Sequence, residues 1–418
     1  MKKVLVVGGG GREHAILWKL TQSKQNLELY CAPGNGGIAQ IATCVPIKAD
    51  DVSGVVTWAK ENNVDLVFVA PDDPLALGMV DALLAEGIRA FGPTKAAAEI
   101  EWSKAYSKWL MKKYNIPTAE FEVFDDADKA IDYLQNANYP IVVKADGLAL
   151  GKGVLICDDF AQAKLAVNDI MLEQKFGTAG AQVVIEEFMT GAEVSVLAFC
   201  DGKTVRPMIS AQDHKRAFDN DEGLNTGGMG TFAPSPKFTH EMQNWAQTEI
   251  YEKTVDALNA EGREFKGVIF FGLMLTPNGI KVLEYNARLG DPETQSVFML
   301  LNTDLYDIIN AVIDTELDKL VFDWKEGSAV CVVMASGGYP QKYENGKFID
   351  GLDAVDEDVM VFHAGTKAQN EKIVTNGGRV LGVTAIGKDI AAAREKAYAN
   401  VQKISFDGAQ YRKDIGIK

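Results

Sequence analysis

The first hundred residues alternate short apolar runs with longer stretches of mixed polarity: VLVV at 4–7, LELY at 27–30, DLVFVA at 65–70 and RAFG at 89–92. That rhythm predicts a parallel α/β sheet with helical crossovers. After Gly92 and Pro93, EIEWSKAYSKWLMKKYN reads as one amphipathic helix ending before Pro117, and a domain boundary is expected near residue 101. PIVVKADG, GVLICDD and AQVVIEEF predict strands around two glycine-bearing turns, with AQAKLAVNDIMLEQ helical between them. Such a compact unit, over about 121–190, is suited to move as a lid. EVSVLAFCDG, GVIFFGLML and IKVLEYN are longer strands of a central antiparallel sheet, and at EGSAVCVVMASGGYP the pattern restarts after a charged linker. The expected fold is therefore α/β multidomain: an N-terminal parallel α/β domain over 1–101, a core with its lid over 102–325, and a small C-terminal α+β domain over 326–418.

The period-two pattern is most informative in VLEYNARLGDPET at 282–294. In an extended strand Glu284, Asn286 and Arg288 alternate with Tyr285 and Ala287 and share one face. Two oxygen donors and a guanidinium then project together, a set suited to Mg²⁺ and phosphate oxygens. The plainer alternative is the polar face of an edge strand with Arg288 pairing Glu284. GDPET favours the first reading, because Gly290 and Pro292 turn the chain where the strand ends and bring Asp291, Glu293 and Thr294 beside the proposed metal.

Composition narrows the function classes. The 418 residues carry 58 acidic against 42 basic side chains, a net charge of −16, which argues against broad binding to nucleic acid or an anionic membrane. Any phosphate must be met by a few local cations. Five scattered cysteines without a CxxC pair read as reduced thiols of a cytoplasmic protein. The apolar part of MKKVLVVGGG is too short for a signal peptide, and no apolar run approaches the roughly 20 residues that span a bilayer.

Two glycine turns face the carboxyl ends of the first strands. Gly8 to Gly11 precede a helix opening on Arg12, Glu13 and His14, so backbone N–H groups and a helix N-terminus point at one spot, where an anion is expected. A phosphate monoester is the favoured occupant, ahead of a purely structural turn. A dinucleotide ranks last, because Glu13 stands where its fingerprint needs a third glycine. APGNGG at 32–37 is a turn whose Asn35 is placed to reach a ribose or phosphate oxygen, or simply to make the turn.

In PIVVKADGLALGKGV, Lys144 ends a buried run and needs an anionic partner. Spacing excludes a Walker A loop, since three residues rather than four separate Gly147 from Gly151 and Gly153 replaces the hydroxyl residue. A glycine loop with Lys152 at its tip would instead cover phosphates from above. Glu186, Glu187 and Glu193 read as a solvated strand end unless context makes them more. AQDHKRAFDNDEGLNTGGMG at 211–230 gathers Asp213, His214, Lys215, Arg216, Asn225 and Thr226 around glycines, against the alternative of a charged surface loop. His240 and His363 read as structural. No Ser/His/Asp, Cys/His or zinc arrangement stands out, which points to catalysis by positioning and electrostatics.

Taken together, GGREHA, APGN, FGP followed by SK, KADGLALGKGV, IEEF, QDHKR, NTGGMG, GLM, EYNARLGDPETQ, MASGGYP, HAGT, TNGGRVL and RKDIG resemble the phosphoribosylamine–glycine ligases, nearly end to end. The resemblance implies an ATP-grasp core with a mobile lid. It also implies an ATP-dependent joining of glycine to 5-phosphoribosylamine through glycyl phosphate, in purine biosynthesis. By the same resemblance Glu284 and Asn286 hold Mg²⁺ (Mn²⁺ being able to replace it), and Lys104, Lys144, Gly151, Lys152, Gly153 and Glu186 grip ATP. The backbone near Glu187 and Phe188 reads adenine and Glu193 takes the ribose. Arg288 and Lys215 stabilise the transferring phosphoryl, while Gly10, Gly11, Asn35, Asp213, Asp291 and Thr294 serve the two substrates, Asp213 and Asp291 also counting among the catalytic residues. A monomer is expected. The chain departs from the family pattern at Gly9, Asp72, Tyr285 and Leu224, and FFGLML lacks a second metal-ligating glutamate. A related ATP-grasp carboxylase and an NAD-binding dehydrogenase are the alternatives.

Overall fold

The computed structural model describes residues 1–147 and 153–417. At the N-terminus five strands form a wholly parallel sheet in the order Thr43–Cys44, Leu27–Pro33, Lys2–Gly8, Leu66–Val69, Ala90–Phe91. The Lys2–Gly8 and Leu27–Pro33 strands end side by side, with Gly8 opposite Pro33 in register. The two glycine turns therefore leave the same sheet edge.

Residues 192–286 supply an antiparallel sheet in the order Val205–Pro207, Ala192–Asp201, Lys266–Thr276, Gly279–Asn286. The segment expected to act as a lid folds as a second antiparallel sheet, Phe121–Phe124, Val183–Glu187, Ile141–Ala145, Val154–Cys157. Its core, including Ile141, Val143, Val183 and Ile185 with Ala163 and Ile170, is separate from the others. The N-terminal and central sheets instead share apolar clusters: Leu5 and Val7 pack in one with Val196 and Phe271, and Val4 and Val6 in another with Phe298 and Leu300. A lid with its own core can move as a unit against that larger body.

A further sheet, of five strands, crosses between regions. Gln212–Asp213 pairs with Gly230–Ala233, which pairs onto Ser328–Ala335, and the sheet continues to Arg379–Gly387 and Val359–His363. The 211–230 segment is thus built into the C-terminal sheet, and a short ribbon, Arg216–Phe218 with Glu222–Asn225, projects from it.

The helix predicted over 99–115 is two helices, Lys95–Trp102 and Lys104–Lys113, broken at Ser103. Ser103 is extended and its hydroxyl accepts the Tyr106 N–H at 3.0 Å, while Asp146 accepts the Ala105 N–H at 3.0 Å. The break sets Lys104 in the first turn of the second helix, with its ammonium donating to the Gly147 carbonyl at 2.9 Å. Among the described residues no helix is long and apolar enough to cross a membrane.

Candidate active site

The strand Gly279–Asn286 has the alternation read from its sequence: Tyr285 and Ala287 are buried, while Glu284, Asn286 and Arg288 are partly open on the other face. A bulge helps to set this. Gly272 pairs with Glu284 and Leu273 with Val282, so Leu283 is the extra residue and the strand is re-aimed just before Glu284. Arg288 does not pair Glu284. Its guanidinium meets Glu101 at 3.1 Å and the Asn286 amide oxygen at 3.2 Å, and the other Glu101 oxygen accepts the Ala287 N–H at 2.7 Å.

Cations converge on Glu284. Lys215 lies 3.7 Å from its carboxylate and 3.0 Å from Glu193. Burial would raise the Glu284 carboxyl, yet Lys215, Lys144, Lys104 and Arg288 together outweigh it and hold it below the ordinary carboxylate value. Glu193, against burial and helped by Glu284, raises the Lys215 ammonium. Burial lowers Lys104, with the Glu284 charge opposing.

From the lid, Lys144 reaches in from the buried strand Ile141–Ala145, and the anion it needs is Glu186, at 2.9 Å. Glu186 is therefore no solvated strand end; it is buried and also pairs Lys108 at 2.9 Å. Glu187 is exposed, pairs Lys281 at 2.6 Å, and donates its N–H to the Glu120 carbonyl. Beyond it Phe188 is exposed, and Ala119, Met189 and Met274 form a small apolar cluster with Leu283, separate from the other cores. This is a small apolar patch next to Phe188.

The 211–230 segment brings Asp213 beside the GDPET turn: a Cβ at Gly228 would stand 2.5 Å from Pro292 and 2.8 Å from the Asp213 carboxylate, and only glycine, at φ +111°, fits between them. Burial first, and then the charge of Glu293, push the Asp213 carboxyl well above its ordinary value against the opposing Lys215. Glu293, itself raised by burial, accepts the Ser195 hydroxyl at 3.0 Å.

A polar pocket of about 270 Å³ opens between the glycine turns and the C-terminal sheet, lined among others by Gly9, Gly10, Asn35, Asp291, Asn376 and Arg379. Arg379 meets the Asp291 carboxylate at 3.1 Å and donates to the carbonyls of Asp291 and Gly227 at 2.7 and 2.6 Å. Burial would raise Asp291, but Arg379 and Arg12 keep it below the usual range.

Several expected roles change. Thr294 is fully buried and its hydroxyl donates to the Gly290 carbonyl at 2.6 Å, so it shapes the turn and does not face a substrate. Asn35 lines the pocket, yet its amide is spent on backbone: it donates to Gly9 and His363 carbonyls and accepts from Gly37 and Ile38. The Gly10 N–H, expected to face an anion, donates to Glu13 at 2.6 Å, and Gly11 packs against Gln295. The Glu186 carboxylate, expected to grip ATP, is instead paired by two lysines. Gly151 and Lys152 lie outside the described residues; Gly153 is buried at the foot of the strand Val154–Cys157. Sequence reasoning missed Glu101, Lys108, Asn376 and Arg379. Only the last two carried a signal, inside TNGGRVL.

The family model described as phosphoribosylglycinamide synthetase matches in three parts: its N domain over 2–101, its ATP-grasp domain over 102–294 and its C domain over 329–418. The chain is 49% identical over 415 residues to a phosphoribosylamine–glycine ligase of Halalkalibacterium halodurans, covering 99% of this chain and 96% of that one. It is 48% identical to that of Caldanaerobacter subterraneus, covering 99% of each. A crystal structure of phosphoribosylamine–glycine ligase from Thermotoga maritima superimposes with a TM-score of 0.84 at 34% identity, covering 99% of this chain and 100% of that one. A biotin carboxylase from Campylobacter jejuni, 14% identical with a TM-score of 0.76 and covering 100% of this chain and 94% of that one, shares the fold alone. The chain belongs to the phosphoribosylamine–glycine ligase family, an ATP-grasp family built of N, A and C domains.

Proposed function

We propose that the chain joins glycine to 5-phosphoribosylamine, driven by ATP, to give glycinamide ribonucleotide, ADP and phosphate. A carboxylate is a poor electrophile. The γ-phosphoryl of ATP passes first to a glycine carboxylate oxygen, the amine nitrogen then attacks the acyl carbon of glycyl phosphate, and phosphate leaves as the amide forms. The observation that carries this reading is the pair Glu284 and Asn286 on one strand face, with Lys215 3.7 Å from the first and Arg288 3.2 Å from the second and the charges of Lys144 and Lys104 also acting on Glu284.

Glu284 and Asn286 offer two oxygens on one strand, and among the described residues no group of three or more His, Cys, Asp or Glu side chains is gathered for a metal. A hard cation that takes one or two protein ligands and completes its shell with phosphates and water fits that set. Glu284 and Asn286 would hold Mg²⁺ or Mn²⁺, whose chemistry is to neutralise charge across the terminal phosphates. Lys104 and Lys144 grip ATP, the Ala119, Met189, Met274 and Leu283 cluster packs on adenine next to the Glu187–Phe188 backbone, and Glu193 takes the ribose. Lys215 and Arg288 stabilise charge on the transferring phosphoryl. The pocket behind Gly9 and Gly10 takes phosphoribosylamine, with Asp291 fixed by Arg379, and Asp213 faces the glycine side. Closing the lid over the acyl phosphate excludes water, which would hydrolyse it.

A monomer is the expected state, which light scattering of the purified chain would test. The five free cysteines suit a reducing cytoplasm. ADP release that requires both glycine and phosphoribosylamine is expected; release driven by bicarbonate would favour a carboxylase, and NADH binding without ATP turnover a dehydrogenase.

A further inference from the structure

The helix Lys104–Lys113 carries one lysine in the interior: Lys108 is 2% exposed and among the largest fully buried side chains of the protein. Its ammonium has two partners, Glu186 at 2.9 Å and the Thr118 hydroxyl at 2.7 Å. Glu186 turns its second oxygen to Lys144, also at 2.9 Å. The Thr118 hydroxyl donates in turn to the Val282 carbonyl at 2.7 Å, where the two residues form an isolated parallel bridge. Val282 lies two positions before Glu284 on the same strand. A continuous series, Lys144, Glu186, Lys108, Thr118, Val282, thus links the lid to the strand that carries Glu284 and Asn286.

Its charges do not cancel. Two ammonium groups share one carboxylate, all three no more than 7% exposed, so within this triad one positive charge is left over, and Lys144 exerts it on Glu284. Buried charge is costly unless paired, and one lysine would have sufficed to neutralise Glu186. Because Glu186 divides itself between two cations, Lys144 is only partly compensated and keeps attraction for an anion. Burial accordingly pulls Lys108 down to about 8 against the charge of Glu186.

We propose that Lys108 is a positioning residue for ATP: through Glu186 it keeps the Lys144 ammonium available to the phosphates, and through Thr118 it fixes that ammonium relative to the Glu284 strand. This rests on the nucleotide site proposed above. The test is MgATP affinity of the full chain by titration calorimetry for Lys108→Met, Lys144→Met and the double variant, with KM for glycine beside it. Lys108→Met is expected to weaken MgATP about tenfold to a hundredfold, the scale of one charge-assisted bond, while the glycine KM stays within about twofold. The double variant is expected to bind no more weakly than Lys144→Met, since Lys108 acts through Lys144. Should Lys108→Met fail to fold, Thr118→Val, which keeps shape and charge and removes the hydroxyl that joins Lys108 to Val282, is expected to weaken MgATP about threefold or more. Unchanged affinity in these variants, or additive losses in the double variant, would overturn the inference. Unchanged affinity in Lys144→Met alone would remove the nucleotide site on which it rests.

Discussion

The Arg288 guanidinium lies 3.1 Å from the carboxylate of Glu101, a residue of the helix that closes the N-terminal domain. Because Glu101 also accepts the Ala287 N–H, it holds both the guanidinium and the strand beneath it. Glu101→Gln retains an acceptor for that N–H but loses the charge. Turnover is expected to fall about tenfold, the value of one weakened charge-assisted bond, with the KM for ATP little changed. Steady-state kinetics check this; an unaltered kcat would separate Arg288 from the chemistry.

Glu284→Ala is expected to lose turnover by about a hundredfold or more, since even indirect supports of a metal ligand are worth 10–100-fold. Raising Mg²⁺ should not restore it. A metal titration of the variant decides, and near-normal activity would refute the assignment.

Arg379 supports Asp291 and the Gly227 carbonyl together, so Arg379→Met should loosen the pocket proposed for phosphoribosylamine. An increase of about tenfold or more in KM for that substrate is expected, with ATP affinity kept. Equal effects on both substrates would instead mark a general loss of structure.

A pH dependence follows from Lys108, which burial draws from 10.5 to about 8 against the Glu186 charge, with Lys144 and Glu187 also facing it. As pH rises through about 8 the folded chain loses that proton, Glu186 turns wholly to Lys144, and MgATP affinity should fall. Stability moves the other way. Between about 8 and 10.5 the unfolded chain binds more protons than the folded one, so this group's contribution to stability rises with pH. Calorimetry and urea midpoints over that range test the pair of signs; affinity flat across it would contradict the role of Lys108.

At the C-terminus the side chain of Arg412 is fully buried and meets Asp221 at 2.9 Å, Asp414 at 2.6 Å and the Arg216 carbonyl at 3.1 Å. It fastens the ribbon next to Lys215. Arg412→Gln is expected to cost about 2 kcal/mol of stability and to expose residues 219–222 to protease, measurable by denaturation and limited digestion. Resistance equal to the parent chain would contradict it.

What was legible in the sequence was local. The two-residue period of 284–288 and the strand rhythm of the first hundred residues need no distant partner to be read, and both occur as expected. The Ser103 break was not legible, because one of the groups that stabilise it, Asp146, lies 41 positions beyond the N–H it accepts. Glu101 had no signal for the same reason, its bond to Ala287 spanning 186 positions. Thr294 misled because polar residues after a turn usually face water. Here all eight residues of Glu293–Leu300 are buried, and Thr294, Gln295 and Ser296 turn their polar atoms to Gly290, Asp291 and Thr231. Glu186 misled in the opposite way: a pair of glutamates at a strand end looks solvated unless the lysines that claim one of them are known.

The most direct measurement is a crystal structure with Mn²⁺, a non-hydrolysable ATP analogue and glycine, with the metal located by its anomalous scattering. The expected result is a manganese peak against the side-chain oxygens of Glu284 and Asn286, with the terminal phosphates between them and Lys144 and the glycine carboxylate facing the outermost phosphorus. A peak and a nucleotide seated away from that strand would contradict the assignment.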